Sequence, residues 1–287
     1  MKISQLMKEK NTTLSFEVFP PKTSERYEAV RAAVMEVGAL KPDFFSVTYG
    51  AGGGTSLFTA RLAAEVKAAY DIPALAHLSC VTSTKELVGT QIEKIKELGI
   101  DNILALRGDL IEGMDTTHLD YHYASELVEE IKRQGDFCVG GACYPEGHPE
   151  AKNLSEDIAH MKEKTEAGCD FLTTQMFFEN HLYYAYVNLC EQAGITVPIV
   201  AGIMPITNEN QVERSLKLSK AYVPKEFQQI VEKYTGNPDD FYKAGLDYAI
   251  RQVIDLYENG VKNVHIYTMN KAAVAKSILE AVASYRS

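Results

Sequence analysis

Eight short runs of β-forming residues alternate with longer amphipathic segments along the whole of this chain. The runs are TLSFEVFP, FFSVTYG, PALAHLSC, NILALRGD, FCVGGACYP, FLTTQMFF, PIVAGIMP and NVHIYTMN. Between them stand patterns such as RYEAVRAAVMEVGAL, KELVGTQIEKIKELG and SELVEEIKRQ, whose apolar residues recur three and four positions apart, as on one face of a helix. Gly99, Gly168 and Gly194 each follow a helical pattern and precede a strand, the place of a C-terminal cap. Alternation of this kind implies parallel strands joined by helical crossovers. Eight such units make an α/β fold of the (β/α)8 TIM-barrel type, which takes about 250 residues. The chain has 287, and residues 221–262 add helical material before the last strand. No Ser-, Gly- or Pro-rich linker divides it, so residues 1–287 read as a single domain.

A doubly wound sheet is the competing architecture. GAGGGT at residues 50–55 follows a strand and opens a helix, like a dinucleotide fingerprint. Thr55 stands where the third glycine belongs, however, and Asp71 lies before the next strand instead of at its end. The barrel is the better reading.

Composition then narrows the function. A net charge of −10 argues against a nucleic-acid partner, which needs a basic surface to displace counterions. A small anionic ligand is still compatible, because a few local cations or helix N-termini suffice. The five cysteines, Cys80, Cys138, Cys143, Cys169 and Cys190, form no C-x-x-C pair, which argues against a disulfide framework or a zinc site. Reduced, mostly buried thiols and a cytoplasmic location are expected. No apolar run reaches the length of a signal peptide or a membrane span, so no membrane partner is expected.

Barrel enzymes place their chemistry at the C-terminal ends of the strands. Here polar residues recur at those ends: Glu17 on the first, Thr48 and Tyr49 on the second, His77 on the third. Arg107, Gly108 and Asp109 end the fourth, Tyr144 and His148 follow the fifth, Gln175 the sixth, and YTMNK closes the eighth. Singly, each has an ordinary explanation: a core histidine, a packed tyrosine, a surface ion pair between Arg107 and Asp109. Glu17 is harder to explain that way. Strand alternation puts Ser15, Glu17 and Phe19 on one face and Leu14, Phe16 and Val18 on the other. The apolar face belongs against the helices, which points Glu17 into the barrel, where a carboxylate is costly unless paired or protonated.

LSFEVFPPKT, FFSVTYGAGGG, AHLSC, ILALRGD, YPEGHPEA, TTQMFF, AGIMPI and HIYTMNK, in that order, resemble the successive motifs of the methylenetetrahydrofolate reductase family over nearly the whole chain. The resemblance implies a flavin-containing barrel that reduces 5,10-methylenetetrahydrofolate to 5-methyltetrahydrofolate, with NADH or NADPH as reductant. Its length is similar to the bacterial catalytic domain without the eukaryotic regulatory domain. Glu17 matches the family's catalytic acid; a carboxyl that donates a proton near neutral pH needs a raised pKa, which burial supplies. Asp109 matches the acid near both flavin and pterin. Gln175, Gln211 and Lys271 match substrate contacts. Thr48, Tyr49, His77, Arg107, Gly108, Tyr144, His148 and Ala151 match flavin contacts, as do Tyr123 and Ala124. Asp157, His160 and Lys164 stand three and four apart on one helical face, the usual pattern of a solvated surface. Here they follow a flavin motif, and the segment favours FAD over FMN.

Three departures stand out. Lys271 replaces the family's usual arginine, exchanging a planar fork for a point charge. Ser215 and Leu216 occupy the region where well-known bacterial members place a phenylalanine that stacks on ligand. His160 and Glu163 replace an amide and a basic residue. They leave the acid and flavin positions in place but weaken the case for direct nicotinamide use, so a protein electron carrier is an alternative donor. The rival functions are a pterin-binding barrel methyltransferase, which needs no flavin, and a non-catalytic subunit of a larger one-carbon complex. Bacterial relatives suggest a homo-oligomer.

Overall fold

Parallel pairing runs unbroken from the first strand round to the last. In this computed structural model, which describes residues 1–49, 56–110, 113, 116–219 and 221–286, the strands are β1 Thr13–Val18, β2 Phe45–Val47, β3 Ala74–Ser79 and β4 Asn102–Leu106. They continue as β5 Cys138–Cys143, β6 Phe171–Thr174, β7 Ile199–Ile203 and β8 Asn263–Tyr267. Each pairs with the next, and β8 pairs back onto β1 with Ser15 opposite His265 and Glu17 opposite Tyr267, closing the barrel. The GAGGGT stretch at residues 50–55 lies outside the described residues; closure of the sheet itself rules out the doubly wound alternative.

Helix α1, Ile3–Glu9, precedes the barrel, and α2 (Tyr27–Gly38), α3 (Ser56–Tyr70), α4 (Lys85–Glu97), α5 (Ala124–Gln134), α6 (Leu154–Glu166) and α7 (Asn180–Gln192) follow successive strands. After β7 come α8 (Glu209–Ser219) and the extra pair α9 (Lys225–Tyr234) and α10 (Pro238–Glu258); α11 (Ala272–Ala281) follows β8. Gly99, Gly168 and Gly194 take the left-handed conformation expected of caps, with φ of 69°, 112° and 85°.

Leu14, Phe16 and Val18 pack outward into the main core with the helices, as the alternation of β1 requires. The opposite face looks inward. Leu75, Leu104, Phe171 and Val200 cluster with Phe44 and with Ile3, Leu6 and Met7 of α1. Helix α1 is fastened there by the Ile3 N–H, which donates to Asn102 Oδ1 at 2.8 Å. That apolar layer closes the N-terminal end, so polar chemistry is confined to the C-terminal mouth. All five cysteines are buried and unbridged. No helix among the described residues is long and apolar enough to cross a membrane.

Candidate active site

Glu17 lies near the C-terminal end of β1 with its side chain 16% exposed. Two imidazoles converge on one oxygen of its carboxylate: Nε2 of His265 at 3.3 Å and Nε2 of His77 at 3.4 Å from Oε2. Each ring is held by a serine hydroxyl, Ser15 Oγ lying 2.7 Å from His265 Nδ1 and Ser46 Oγ 2.6 Å from His77 Nε2. Burial, the largest influence, pushes His77 down to about 4; the charge of Glu17 opposes this and that of His265 adds to it. His77 is therefore neutral at neutral pH.

The backbone around Glu17 is fixed from the β8 side. Its carbonyl accepts from the Thr268 N–H at 3.2 Å and from Thr268 Oγ1 at 2.7 Å. The Asn270 side chain pairs with Phe19 like a further strand residue, accepting from its N–H at 2.9 Å and donating to its carbonyl at 3.0 Å. This needs Met269 and Asn270 in the left-handed region, at φ 53° and 58°. Such a conformation costs a non-glycine residue about 1–2 kcal/mol, less for asparagine. Pro20 and Pro21 then end the strand, as they supply no ladder N–H.

The residues expected to contact a flavin lie along the ends of β2 to β5 and on α5 and α6. Thr48 and Tyr49 are half-buried beyond β2. Arg107 makes no pair with Asp109; its guanidinium forms a two-pronged bond to Glu150, at 2.7 and 2.6 Å, which raises its pKa. Asp109 is exposed, within electrostatic reach of Arg107 and Tyr144. Gly108 turns the chain between them at φ 86°. His148 packs edge-on against Tyr144 at 4.7 Å, and its Nδ1 accepts from the Glu150 N–H at 3.1 Å. Burial lowers the His148 pKa and raises that of Tyr144 to about 12. Ala151 follows at the edge of this loop, half-buried.

Helix α6 begins at Asn153, whose side chain accepts from the Glu156 N–H at 2.9 Å, a standard N-cap. It splits the trio expected on one face. Asp157 and Lys164, two turns apart, are buried, whereas His160 is exposed. Lys164 donates to the Ala142 carbonyl at 2.7 Å, and burial lowers its pKa. It fits because residue 141 is glycine: a Cβ there would lie 2.8 Å from Lys164 Cδ. Burial raises the Asp157 pKa; Lys164 and the His148 N–H oppose it. Asp157 Oδ2 is buried and has no hydrogen-bond partner among the described residues. His160 lies outside that pair and stacks on Tyr123, centroids 6.0 Å apart and planes 17° apart, where α5 and α6 run side by side. Ala124 is the first residue of α5.

On the β6 to β8 side, Gln175 Oε1 accepts from the Met176 N–H at 2.9 Å. Gln211 Oε1 accepts from the Thr207 N–H, from Thr207 Oγ1 at 3.1 Å and from Asn208 Nδ2. The oxygen ends of both amides are thus engaged, which turns their NH2 ends into the groups that can address a ligand. Lys271 donates to Thr207 Oγ1 at 2.9 Å, and burial lowers its pKa. Gln211, Thr207 and Lys271 therefore form one connected patch. Ser215 is buried and directs Oγ to Met204 Sδ. Beneath them Tyr267 crosses the barrel to donate to the Thr174 carbonyl at 2.5 Å.

The sequence reading gave no site role to Ser46 and His265; Ser15 entered it only as sharing the Glu17 face, and Thr268 and Asn270 only within YTMNK, yet together these residues hold Glu17 and its two imidazoles. A signal existed for one: alternation along NVHIY puts His265 on the same face as Tyr267, as it puts Ser15 with Glu17.

A family model described as methylenetetrahydrofolate reductase matches residues 2–283. The 5,10-methylenetetrahydrofolate reductase of Pectobacterium carotovorum subsp. carotovorum is 34% identical over 265 residues, 92% of this chain and 88% of that protein. The Escherichia coli K12 protein of the same name gives the same figures. Methylenetetrahydrofolate reductase (NADH) 1 of Zea mays is 34% identical over 97% of this chain, which spans 49% of that longer relative. Among solved structures, an uncharacterized Clostridium thermocellum protein that binds two copies of 5-methyl-5,6,7,8-tetrahydrofolic acid matches with a TM-score of 0.65. It is 15% identical and covers 98% of this chain and 95% of that one, a likeness of fold alone.

Proposed function

The chain belongs to the methylenetetrahydrofolate reductase family, an oxidoreductase that makes methyltetrahydrofolate from methylenetetrahydrofolate, and from that premise we propose that it works with bound FAD and with Glu17 as proton donor. The observation that carries the reading is the Glu17 carboxyl, enclosed in the barrel mouth with both neighbouring imidazoles on Oε2. The other oxygen would then be the one to meet a substrate. A bridging nitrogen of the folate must be protonated before the one-carbon bridge opens to the cation that accepts hydride, and a positioned acid speeds such a step by about 10²–10⁴-fold.

The residues present fit a flavin. Asp157 Oδ2, buried and unpartnered, is an acceptor waiting for a hydroxyl such as the ribityl chain carries. Thr48, Tyr49, His77, Gly108, Tyr144, His148 and Ala151 would line its ring and chain. Lys164 and Arg107 provide positive charge for its diphosphate. The Tyr123–His160 stack offers a platform for adenine, which favours FAD over FMN. When bound, the flavin supplies the hydride that reduces the folate. Asp109, exposed at the end of β4, would pair with the amino-pyrimidine edge of the pterin. The NH2 ends of Gln175 and Gln211 would donate to the ring, and Lys271 would meet the carboxylate tail.

The reductant is NADH, NADPH or a partner electron carrier; with serine at 215, no aromatic ring stands there to hold a nicotinamide. Bleaching of the flavin in stopped flow by NADH and, separately, by NADPH distinguishes these, and no bleaching by either at millimolar concentration excludes direct nicotinamide use. The reading carries with it a single catalytic domain acting in the cytoplasm as a homo-oligomer, by analogy with bacterial relatives. Purified protein should be yellow and release FAD on denaturation. A colourless protein that binds neither FAD nor FMN overturns the flavin reading.

A further inference from the structure

Helix α8 carries Gln211 on the folate side of the mouth, yet its sequence, ENQVERSLKLS, contains no aromatic residue. The ring that this segment does carry is Tyr222, just past the helix and 53% exposed. We infer that Tyr222 is the plane on which a ring of a nicotinamide dinucleotide stacks, and that Glu146 is the positioning residue that holds it at the edge of the flavin positions. The inference rests on the flavin reading above and goes beyond it in choosing the donor.

Packing places the residue. Ala221 and Val223 lie in or against a cluster with Met176 and Phe178, just past β6, and Ile206, just past β7. Those are C-terminal strand ends, so this connection lies at the mouth. The cluster takes the residues on either side and leaves Tyr222 outside it. Glu146, in the loop after β5, fixes its backbone: the Tyr222 N–H donates to Glu146 Oε2 at 2.7 Å, across 76 positions of sequence. Glu146 itself stands in a tight turn that the Gly147 N–H closes onto the Tyr144 carbonyl at 2.9 Å. Pro145 and Gly147 occupy the places such a turn favours. Tyr144 and His148, on either side of the turn, are flavin positions. Tyr222 therefore stands on the border between the flavin groups of β2 to β5 and the folate groups of β6 to β8.

Elimination names the ligand. The adenine of FAD is assigned to the Tyr123–His160 stack on α5 and α6. The folate tail runs to Lys271, which lies at Thr207 on the β7 and β8 side, away from Glu146. The flat ring left without a surface is that of the hydride donor. An anchored tyrosine suits it, because its backbone is already fixed and stacking orders few further bonds.

The test titrates holoenzyme by calorimetry with the tetrahydro forms of NADH and NADPH, which carry no transferable hydride and so report binding alone. Tyr222→Ala should weaken the form that binds wild type about 10-fold, the worth of one good stack, while Tyr222→Phe should stay within about two-fold. Glu146→Ala should weaken it in the same sense, and Glu146→Gln, which keeps an acceptor oxygen, should restore it. In stopped flow, Tyr222→Ala should raise the dinucleotide concentration for half-maximal flavin bleaching by the same factor with little change in limiting rate. The loss should fall on this half-reaction and not on reoxidation of dithionite-reduced enzyme by methylenetetrahydrofolate. Unchanged dinucleotide affinity in Tyr222→Ala overturns the inference, as does a loss confined to the folate half-reaction, or a wild-type enzyme that binds neither form. A wild-type enzyme whose reduced flavin is not oxidised by the folate brings down the functional reading instead, while the calorimetry still decides the tyrosine.

Discussion

His77→Gln should flatten the loss of stability that the wild-type protein suffers on mild acidification. The unfolded chain binds a proton at this histidine near 6.5, whereas burial holds the folded ring down to about 4. Between those values the unfolded state carries the extra proton, so stability rises with pH and is lost as pH falls. Each pH unit of separation is worth about 1.4 kcal/mol, which brings the whole effect from 6.5 down to about 4 to roughly 3 kcal/mol. By pH 5 about 2 kcal/mol of it should be gone. Glutamine keeps an amide to meet Ser46 Oγ, which lies 2.6 Å from the native ring, and does not titrate. Urea unfolding of both proteins at pH 7 and pH 5 isolates the term, because the other titrating groups are common to both. The gap between them should close, or reverse, by about 2 kcal/mol over that interval. Parallel stabilities at the two pH values would show that the folded ring takes up a proton freely, and the neutral, enclosed His77 would have to be abandoned.

Gly202→Ala should cost about 2–4 kcal/mol in the same unfolding assay, from overpacking and a lost hydrogen bond. Its Cβ would stand 2.4 Å from the Thr174 carbonyl and 2.7 Å from the Tyr267 hydroxyl; a cost below about 0.5 kcal/mol would mean the packing at the C-terminal ends of β6, β7 and β8 is looser than described. Asp157→Ala should weaken flavin binding about 10- to 100-fold by equilibrium dialysis, the worth of one charged hydrogen bond, and unchanged affinity would remove the orphaned oxygen from the cofactor site. Tyr123→Ala should weaken FAD while leaving FMN binding alone; equal losses for both would take the stack away from the adenine.

The fold was legible because its determinants are local and repeated. Each strand run and each capped helix carries its own period, and Gly99, Gly168 and Gly194 mark helix ends that the left-handed backbone confirms. The inward aim of Glu17 followed from alternation within six residues. What the sequence could not show is which groups from distant strands meet it. Ser15 and His265 are 250 positions apart and become neighbours only once β8 pairs with β1. The Arg107 partner was hidden for the same reason: an ion pair with Asp109, two positions on, was only the ordinary alternative to a site role, whereas Glu150, 43 positions on, reaches the guanidinium with both oxygens. On α6 the spacing of Asp157, His160 and Lys164 was read as one face. Seven residues bring the first and last almost into line, while three leave His160 about 60° aside, enough to separate buried from exposed.

The most direct test is the oxidative half-reaction of Glu17→Gln: flavin reduced with dithionite, mixed with methylenetetrahydrofolate, and followed by absorbance in stopped flow. The account predicts a normal flavin spectrum and flavin content, with reoxidation by the folate slowed about 10²–10⁴-fold. Reoxidation within a few-fold of the wild-type rate would contradict it.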